Sequence, residues 1–282
     1  MGTVSRMMSK RNVRRAAPVT RGTLIIIGGH EDKAGDRVIL SEVARHARRH
    51  GVLVATIASG DGDAAWREYR EVFSDLGVRD IERLELDGRA DAQDDPRWRL
   101  LRRRRVVFFT GGDQLRITAR FGGTAICERV REIYRMGGVI AGTSSGASVM
   151  SGTMLISGPG DESHRVRDNL HMAPGLGLIP EVLIDQHFAE RGRMGRLIGG
   201  VAHNPRLLGI GIDEDTAIVV ERHASFRVIG SGAVYVVDGR AAYDSNISEA
   251  ETGRVLSVFG LMVHVLSAGN RFDLAHRAAL AA

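Results

Sequence analysis

The chain has 282 residues, 43% of them hydrophobic and 26% charged, a composition that fits a globular α/β protein of one large domain or two small ones. A single cysteine, Cys127, excludes an internal disulfide, so a reducing, cytoplasmic setting is expected. No apolar run approaches the roughly 18 residues a membrane-spanning helix needs.

The formal net charge of +5 is concentrated at one end. Arg6, Lys10, Arg11, Arg14, Arg15 and Arg21 make six of the 39 basic residues, and none of the 34 acids precedes residue 22. The remainder is therefore close to neutral. Residues 1–21 lack the apolar stretch of a secretory signal and are expected to be a disordered basic tail, in preference to a nucleic-acid arm.

From Gly22 onward strand-like and helix-like stretches alternate. Leu24 to Ile27 is an apolar run ending in Gly28-Gly29-His30. Helical spacing follows from Ile39 to His50, a buried run from Val52 to Ala58, and helical spacing again from Trp66 to Leu76. Ile81 to Leu86 reads as a strand, and Val106 to Thr110 as a buried strand before Gly111-Gly112-Asp113-Gln114. Residues 115–136 read as helix, and Val139 to Ala141 as the next strand. Short β-rich runs separated by helices predict a mostly parallel sheet covered on both faces. Glycines at several strand ends predict a site at the carboxyl edge of that sheet. Past residue 208, Ala217 to Glu221, Ser225 to Ile229, Val234 to Val237 and Val255 to Leu266 predict a β-rich extension. The run Arg102 to Arg105 is expected to be a solvated helix end. With no linker and no repeat in view, residues 22–282 are read as one domain.

The most informative segment is Val139-Ile-Ala-Gly-Thr-Ser-Ser-Gly-Ala-Ser-Val-Met150. A Gly-x-Ser-x-Gly turn between a strand and a helix thrusts a serine hydroxyl out of a strained elbow. The small flanking residues let a substrate approach the backbone. That geometry suits acyl transfer through Ser144. With 35 glycines in the chain the motif alone is weak, and its context has to carry the reading.

A serine nucleophile needs a base, and the base needs an acid to fix its tautomer. Of ten histidines, His46 and His50 sit on a basic helix and are expected to face solvent. His187, in Ile184-Asp-Gln-His-Phe188, stands instead at the end of an apolar strand among polar groups. A second strand, in Gly209-Ile-Gly-Ile-Asp-Glu-Asp-Thr-Ala217, delivers Asp213, Glu214 and Asp215 into one turn. His30 and Glu31 raise the thought of a metal, but no further ligand has convincing spacing. No metal or cofactor is expected.

Four blocks in this order, Gly111-Gly-Asp-Gln-Leu115, Gly142-Thr-Ser-Ser-Gly-Ala147, Asp185-Gln-His-Phe188 with Arg191, Arg193 and Arg196, and Gly209 to Ala217, resemble the cyanophycinase family. These are serine peptidases grouped with aspartyl dipeptidase on a class I glutamine amidotransferase-like, flavodoxin-like fold. The resemblance covers about residues 22–270. It implies Ser144 as nucleophile, His187 as general base and acid, and Glu214 as the group orienting His187. Backbone N–H groups of Gly112 and Ser145 are the implied oxyanion hole. One departure is Ser145 itself, where the family usually has alanine; only its backbone N–H is required.

The implied substrate is cyanophycin, a poly-aspartate with arginine on each side-chain carboxylate, cleaved from an end to β-aspartyl-arginine dipeptides. Such a unit needs carboxylates for its guanidinium and arginine forks for its free carboxylates. Asp185 is the expected guanidinium partner, with support of the His187 loop as its alternative role. Asp113, Gln114, Gln186, Arg191, Arg193 and Arg196 complete the expected substrate-binding set, and the resemblance suggests a homodimer. A related aspartyl or isoaspartyl dipeptidase would keep the triad and change the pocket. A non-catalytic binding protein on this fold would not need all three triad residues. A glutamine amidotransferase is excluded, because it needs cysteine at position 144 and Cys127 lies outside the elbow.

Overall fold

The structure, a computed structural model, describes residues 22–89, 98–156, 170–248 and 255–280, so the basic segment 1–21 lies outside the described residues. Its first half alternates strands β1 (Thr23–Ile27), β2 (Val52–Ala55), β3 (Ile81–Leu84), β4 (Val106–Phe109) and β5 (Val139–Thr143) with helices. The helices are α1 (Val38–Ala47), α2 (Gly62–Asp75), α3 (Trp98–Arg103), α4 (Gln114–Phe121) and α5 (Ala125–Arg135). A short helix α6 (Ser145–Ser148) and strands β6 (Thr153–Ile156), β7 (His171–Pro174) and β8 (Val182–Gln186) follow. Then come α7 (Met194–His203), β9 (Leu208–Ile212), β10 (Thr216–Glu221), β11 (Ser225–Gly230) and β12 (Val234–Asp238). The last strands are β13 (Asp244–Ser245), β14 (Val258–Phe259), β15 (Met262–Leu266), β16 (Arg271–Asp273) and β17 (Ala278–Leu280).

Nine strands form one sheet in the order β17-β16-β11-β10-β1-β5-β4-β2-β3. The half from β1 to β3 is parallel, and β10, β11, β16 and β17 extend it antiparallel. Successive side chains of β1 enter different cores. Leu24 and Ile26 pack with α4, α5 and a second sheet, while Ile25 and Ile27 pack with α1 and α2. A strand covered on both faces has no polar position to spare, which is why β1, β2, β4 and β5 read as unbroken apolar runs. The second sheet runs β15-β12-β9-β8, with β8 and β9 parallel. Its Ile184, Ile210, Ile212 and Val236 join the same core as Leu24 and Ile26. Its other face lies under α7, through Leu183, Leu197, Val201 and Val237.

Two local expectations change. The helical stretch 115–136 is two helices, broken at Gly122-Gly123-Thr124. Gly123 takes a positive φ of 70°, and Thr124 caps α5 by accepting the Cys127 N–H at 3.2 Å. In the basic run, Arg104 is buried rather than solvated. Its guanidinium is held by Asp80 and, at 2.8 Å, by Glu82, because those two acids bracket the start of β3 beside it. At the start of α2, Asp61 accepts the Ala64 N–H at 2.8 Å, a capping contact of about 1 kcal/mol.

Candidate active site

The site lies where β1, β4, β5, β8 and β9 end together. Three loops leaving this edge are pinned to three consecutive carbonyls at the end of β1. The Ser144 N–H donates to Ile27 O at 3.0 Å, the His187 N–H to Gly28 O at 2.9 Å, and the Asp215 N–H to Gly29 O at 2.9 Å. Such close approach leaves no room for side chains. A Cβ on Gly28 would lie 1.9 Å from Asp213 O, and one on Gly29 would lie 2.3 Å from the His187 ring.

Ser144 stands between β5 and α6 with φ 53° and ψ −116°, a conformation that non-glycine residues rarely adopt. Its Oγ lies 2.9 Å from His187 Nε2. His187, also at positive φ, follows β8 and is 3% exposed. Its Nδ1 lies 2.6 Å from Glu214 Oε1 in the turn after β9. The three acids of that turn divide their work. Asp213 accepts the N–H groups of Ala189 (2.9 Å) and Ala233 (3.1 Å), and Asp215 accepts the Asp32 N–H (2.8 Å) and the Ser231 hydroxyl (2.7 Å). Both staple loops together and leave Glu214 to face the histidine. Burial holds the His187 pKa below its usual value, opposed chiefly by the hydrogen bond to Glu214, and the nearby Arg191 charge lowers it further. Neutral imidazole so placed can take a proton from the serine hydroxyl.

Gly112, after β4, takes φ 140°, and a Cβ there would lie 2.1 Å from Ala58 O. Among the described residues, neither the Gly112 N–H nor the Ser145 N–H has an acceptor, and both residues line the cavity beside Ser144. The Ser145 hydroxyl donates to Gly112 O, tying the elbow to the loop that carries the second N–H.

The cavity measures about 580 Å³. Its walls include Asp113, Gln114, Gln186, Arg191 and Arg193, five of the residues expected to bind substrate. Asp113 is exposed and caps α4 through the Leu115 N–H, 2.9 Å. Gln114 is buried and donates to Leu155 O at 2.5 Å. Gln186 receives Arg193 on its Oε1 at 2.8 Å. The Arg191 N–H donates to His187 O at 3.1 Å, while its exposed side chain makes no hydrogen bond or ion pair with the described residues. Asp185 is placed differently from its expected role. It is fully buried and absent from the cavity wall, with its carboxylate held by Arg193 (3.2 Å) and Arg196 (Nε at 2.8 Å). The residue alternates along β8 with Gln186, so its side chain points inward, where the internal arginines and the Gln186 N–H, at 2.9 Å, reach it. Arg196 likewise spends its guanidinium on Asp185 and is not on the wall.

Sequence reasoning missed Glu31 as a structural acid. It is 3% exposed and accepts the Tyr69 hydroxyl and the Thr143 hydroxyl, each at 2.6 Å. These partners lie 38 and 112 residues away, so no local spacing could show the cluster.

Residues 24–228 match the model of peptidase family S51. The chain belongs to that family. S51 membership makes it a hydrolase of the serine-peptidase type. Its relatives include a cyanophycinase of Trichormus variabilis, 38% identical, with the match covering 99% of this chain and 95% of the relative. A cyanophycinase of Synechococcus elongatus is 37% identical over 90% of this chain and 80% of its own length. Among solved structures, a peptidase from an acI-B1 actinobacterium superposes with a TM-score of 0.67 over 91% of this chain and 98% of its own, at 19% identity. At that identity the superposition speaks for a shared fold alone.

Proposed function

We propose that the protein is a cyanophycinase that hydrolyses multi-L-arginyl-poly-L-aspartate through an acyl-enzyme on Ser144. The observation that carries the residue roles is the continuous relay from Ser144 Oγ to His187 Nε2 and from His187 Nδ1 to Glu214, at 2.9 and 2.6 Å, on the floor of an open polar cavity. The near-full-length likeness to cyanophycinases supports the substrate.

His187 takes the Ser144 proton as the oxygen attacks an aspartyl carbonyl of the polymer backbone. The Gly112 and Ser145 N–H groups receive the oxyanion, each worth on the order of 3 kcal/mol. His187 then protonates the departing amine, and water hydrolyses the ester with His187 acting again as base. Glu214 keeps the imidazole oriented and stabilises its charged form. With Asp185 occupied, the exposed Asp113 is our assignment for the substrate guanidinium, and Arg191 for a free aspartyl carboxylate. Attack from the polymer end, giving β-aspartyl-arginine, follows the resemblance. We also assign residues 22–282 to one catalytic unit, since one core cluster runs through both large sheets. Homodimerisation and a cytoplasmic location complete the proposal, for light scattering and cell fractionation to test.

The direct test incubates the protein with insoluble cyanophycin beside Ser144→Ala and analyses the soluble products by mass spectrometry. Release of β-aspartyl-arginine by the wild type only is the expected result. No release from folded wild type would move the substrate to another isoaspartyl peptide, and fragments longer than dipeptides would exclude attack from the end.

A further inference from the structure

Glu214 serves two histidines. Its Oε1 faces His187 Nδ1, and its Oε2 lies 3.3 Å from Nδ1 of His30, in the loop after β1. The two rings meet edge to face with centroids 5.0 Å apart. Among the described residues, His30, His187 and Glu214 are the group of three whose ligand atoms all lie within 4.8 Å of one another. His30 does nothing in the peptidase relay described above. Its side chain is 71% exposed at the cavity mouth, and its backbone is held at φ 47°.

We propose that His30, His187 and Glu214 form an inhibitory site for a divalent transition metal of the zinc type. Two imidazoles and one carboxylate are the donor set such ions take, with water in the fourth position. Tetrahedral coordination at about 2.0–2.1 Å spaces the donors roughly 3.3 Å apart. The Glu214 carboxylate therefore has to withdraw from the 2.6 Å it keeps to His187 Nδ1, and a rotation of the exposed His30 ring brings its donor toward His187. The frame beneath is rigid, because Asp215 ties its own turn to the His30 loop twice, through its N–H to Gly29 O and its carboxylate to the Asp32 N–H. Exposed His30 and a 27% exposed Glu214 give the ion a path in from solvent.

Inhibition follows from the imidazole itself. A metal at His187 Nδ1 takes the lone pair there, so the neutral ring's single N–H proton passes, by exchange with solvent, from Nδ1 to Nε2, the atom facing Ser144. It has no lone pair left for the serine proton, and Glu214 is drawn into coordination. The metal switches the relay off without entering the oxyanion site.

The inhibitory step rests on the relay proposed above, whereas binding does not, so the two are read separately. Binding is measured by the visible absorption of Co2+ added to full-length Ser144→Ala, with Zn2+ as competitor. Inhibition is measured by titrating Zn2+ into the active protein and reversing it with EDTA. His30→Ala, compared with its own metal-free rate, should raise the inhibitory Zn2+ concentration at least about tenfold, since even outer partners of a metal site contribute that much. The Co2+ band should fall in parallel in His30→Ala/Ser144→Ala. Equal inhibition of His30→Ala and the parent, no inhibition by millimolar Zn2+, or a Co2+ spectrum indifferent to His30 would each overturn the proposal. A protein that fails to cleave cyanophycin yet shows the His30-dependent Co2+ band would overturn the substrate reading and leave the metal site standing.

Discussion

Thr143, the last residue of β5, donates its hydroxyl to the buried carboxylate of Glu31 at 2.6 Å and so ties the residue before Ser144 to the loop after β1. Tyr69 donates to the other oxygen of the same carboxylate. Burial, with the Glu31 charge behind it, pushes the Tyr69 pKa well above its usual value, so the phenol stays a donor. Glu31→Ala strands two buried hydroxyls, at about 1–3 kcal/mol each. Urea unfolding should show that loss, with about half of it recovered in Glu31→Gln, whose amide oxygen still accepts one of them. Unchanged stability in Glu31→Ala would contradict this account of the elbow.

Ser144 itself carries strain, and strain at a nucleophile has a measurable signature. Ser144→Ala should lower kcat on the order of a millionfold while leaving the protein folded. Ser144→Gly should be equally inactive but about 1 kcal/mol more stable than the alanine variant, because glycine tolerates φ 53°. A glycine variant less stable than the alanine variant would mean that the backbone there is relaxed.

Activity should follow the protonation of His187. A general base works only when neutral, and burial lowers the pKa of His187 below its usual 6.5. The acid limb of kcat/KM should therefore fall below that value. Glu214 raises this pKa, so Glu214→Gln should move the limb lower still and cut kcat on the order of ten-thousandfold. An acid limb above 6.5 in the wild type would count against the desolvation argument.

Arg191 lowers the pKa of His187 by its charge and stands exposed on the cavity wall. Arg191→Ala should raise KM about tenfold, the low end for a charged hydrogen bond, and shift the acid limb upward. A change in kcat with KM untouched would argue against its contact with substrate.

Asp185 should behave as a structural acid. Asp185→Ala leaves Arg193 and Arg196 without their shared carboxylate in a buried site, at a cost of about 3–5 kcal/mol. Thermal unfolding separates this from a binding role, in which stability would hold and only KM would rise.

What could be read in the chain follows from how local each signal is. The strands β1, β2, β4 and β5 are unbroken apolar runs, and the Ser144 elbow is a contiguous motif, so both were legible. The break between α4 and α5 had its own signal in Gly122-Gly123-Thr124, which helical spacing on either side overrode. Asp185 and Arg104 were misjudged because their partners come from other elements. A charge looks the same in sequence whether it meets solvent or a buried counter-ion. The position of His30 beside Glu214 depends on two loops 184 residues apart meeting at one sheet edge, which no spacing encodes.

The three consecutive carbonyls at the end of β1 give the site an unusual mechanical property. The amides of Ser144, His187 and Asp215 are clamped by Ile27, the last residue of β1, and by Gly28 and Gly29 just beyond it. None of these loops can open alone without breaking a bond to this one stretch at the end of a central strand. In native-state hydrogen exchange these three amides should slow together and exchange only as β1 itself does. The reactive geometry then survives as long as the fold, and heat inactivation becomes a report on global unfolding.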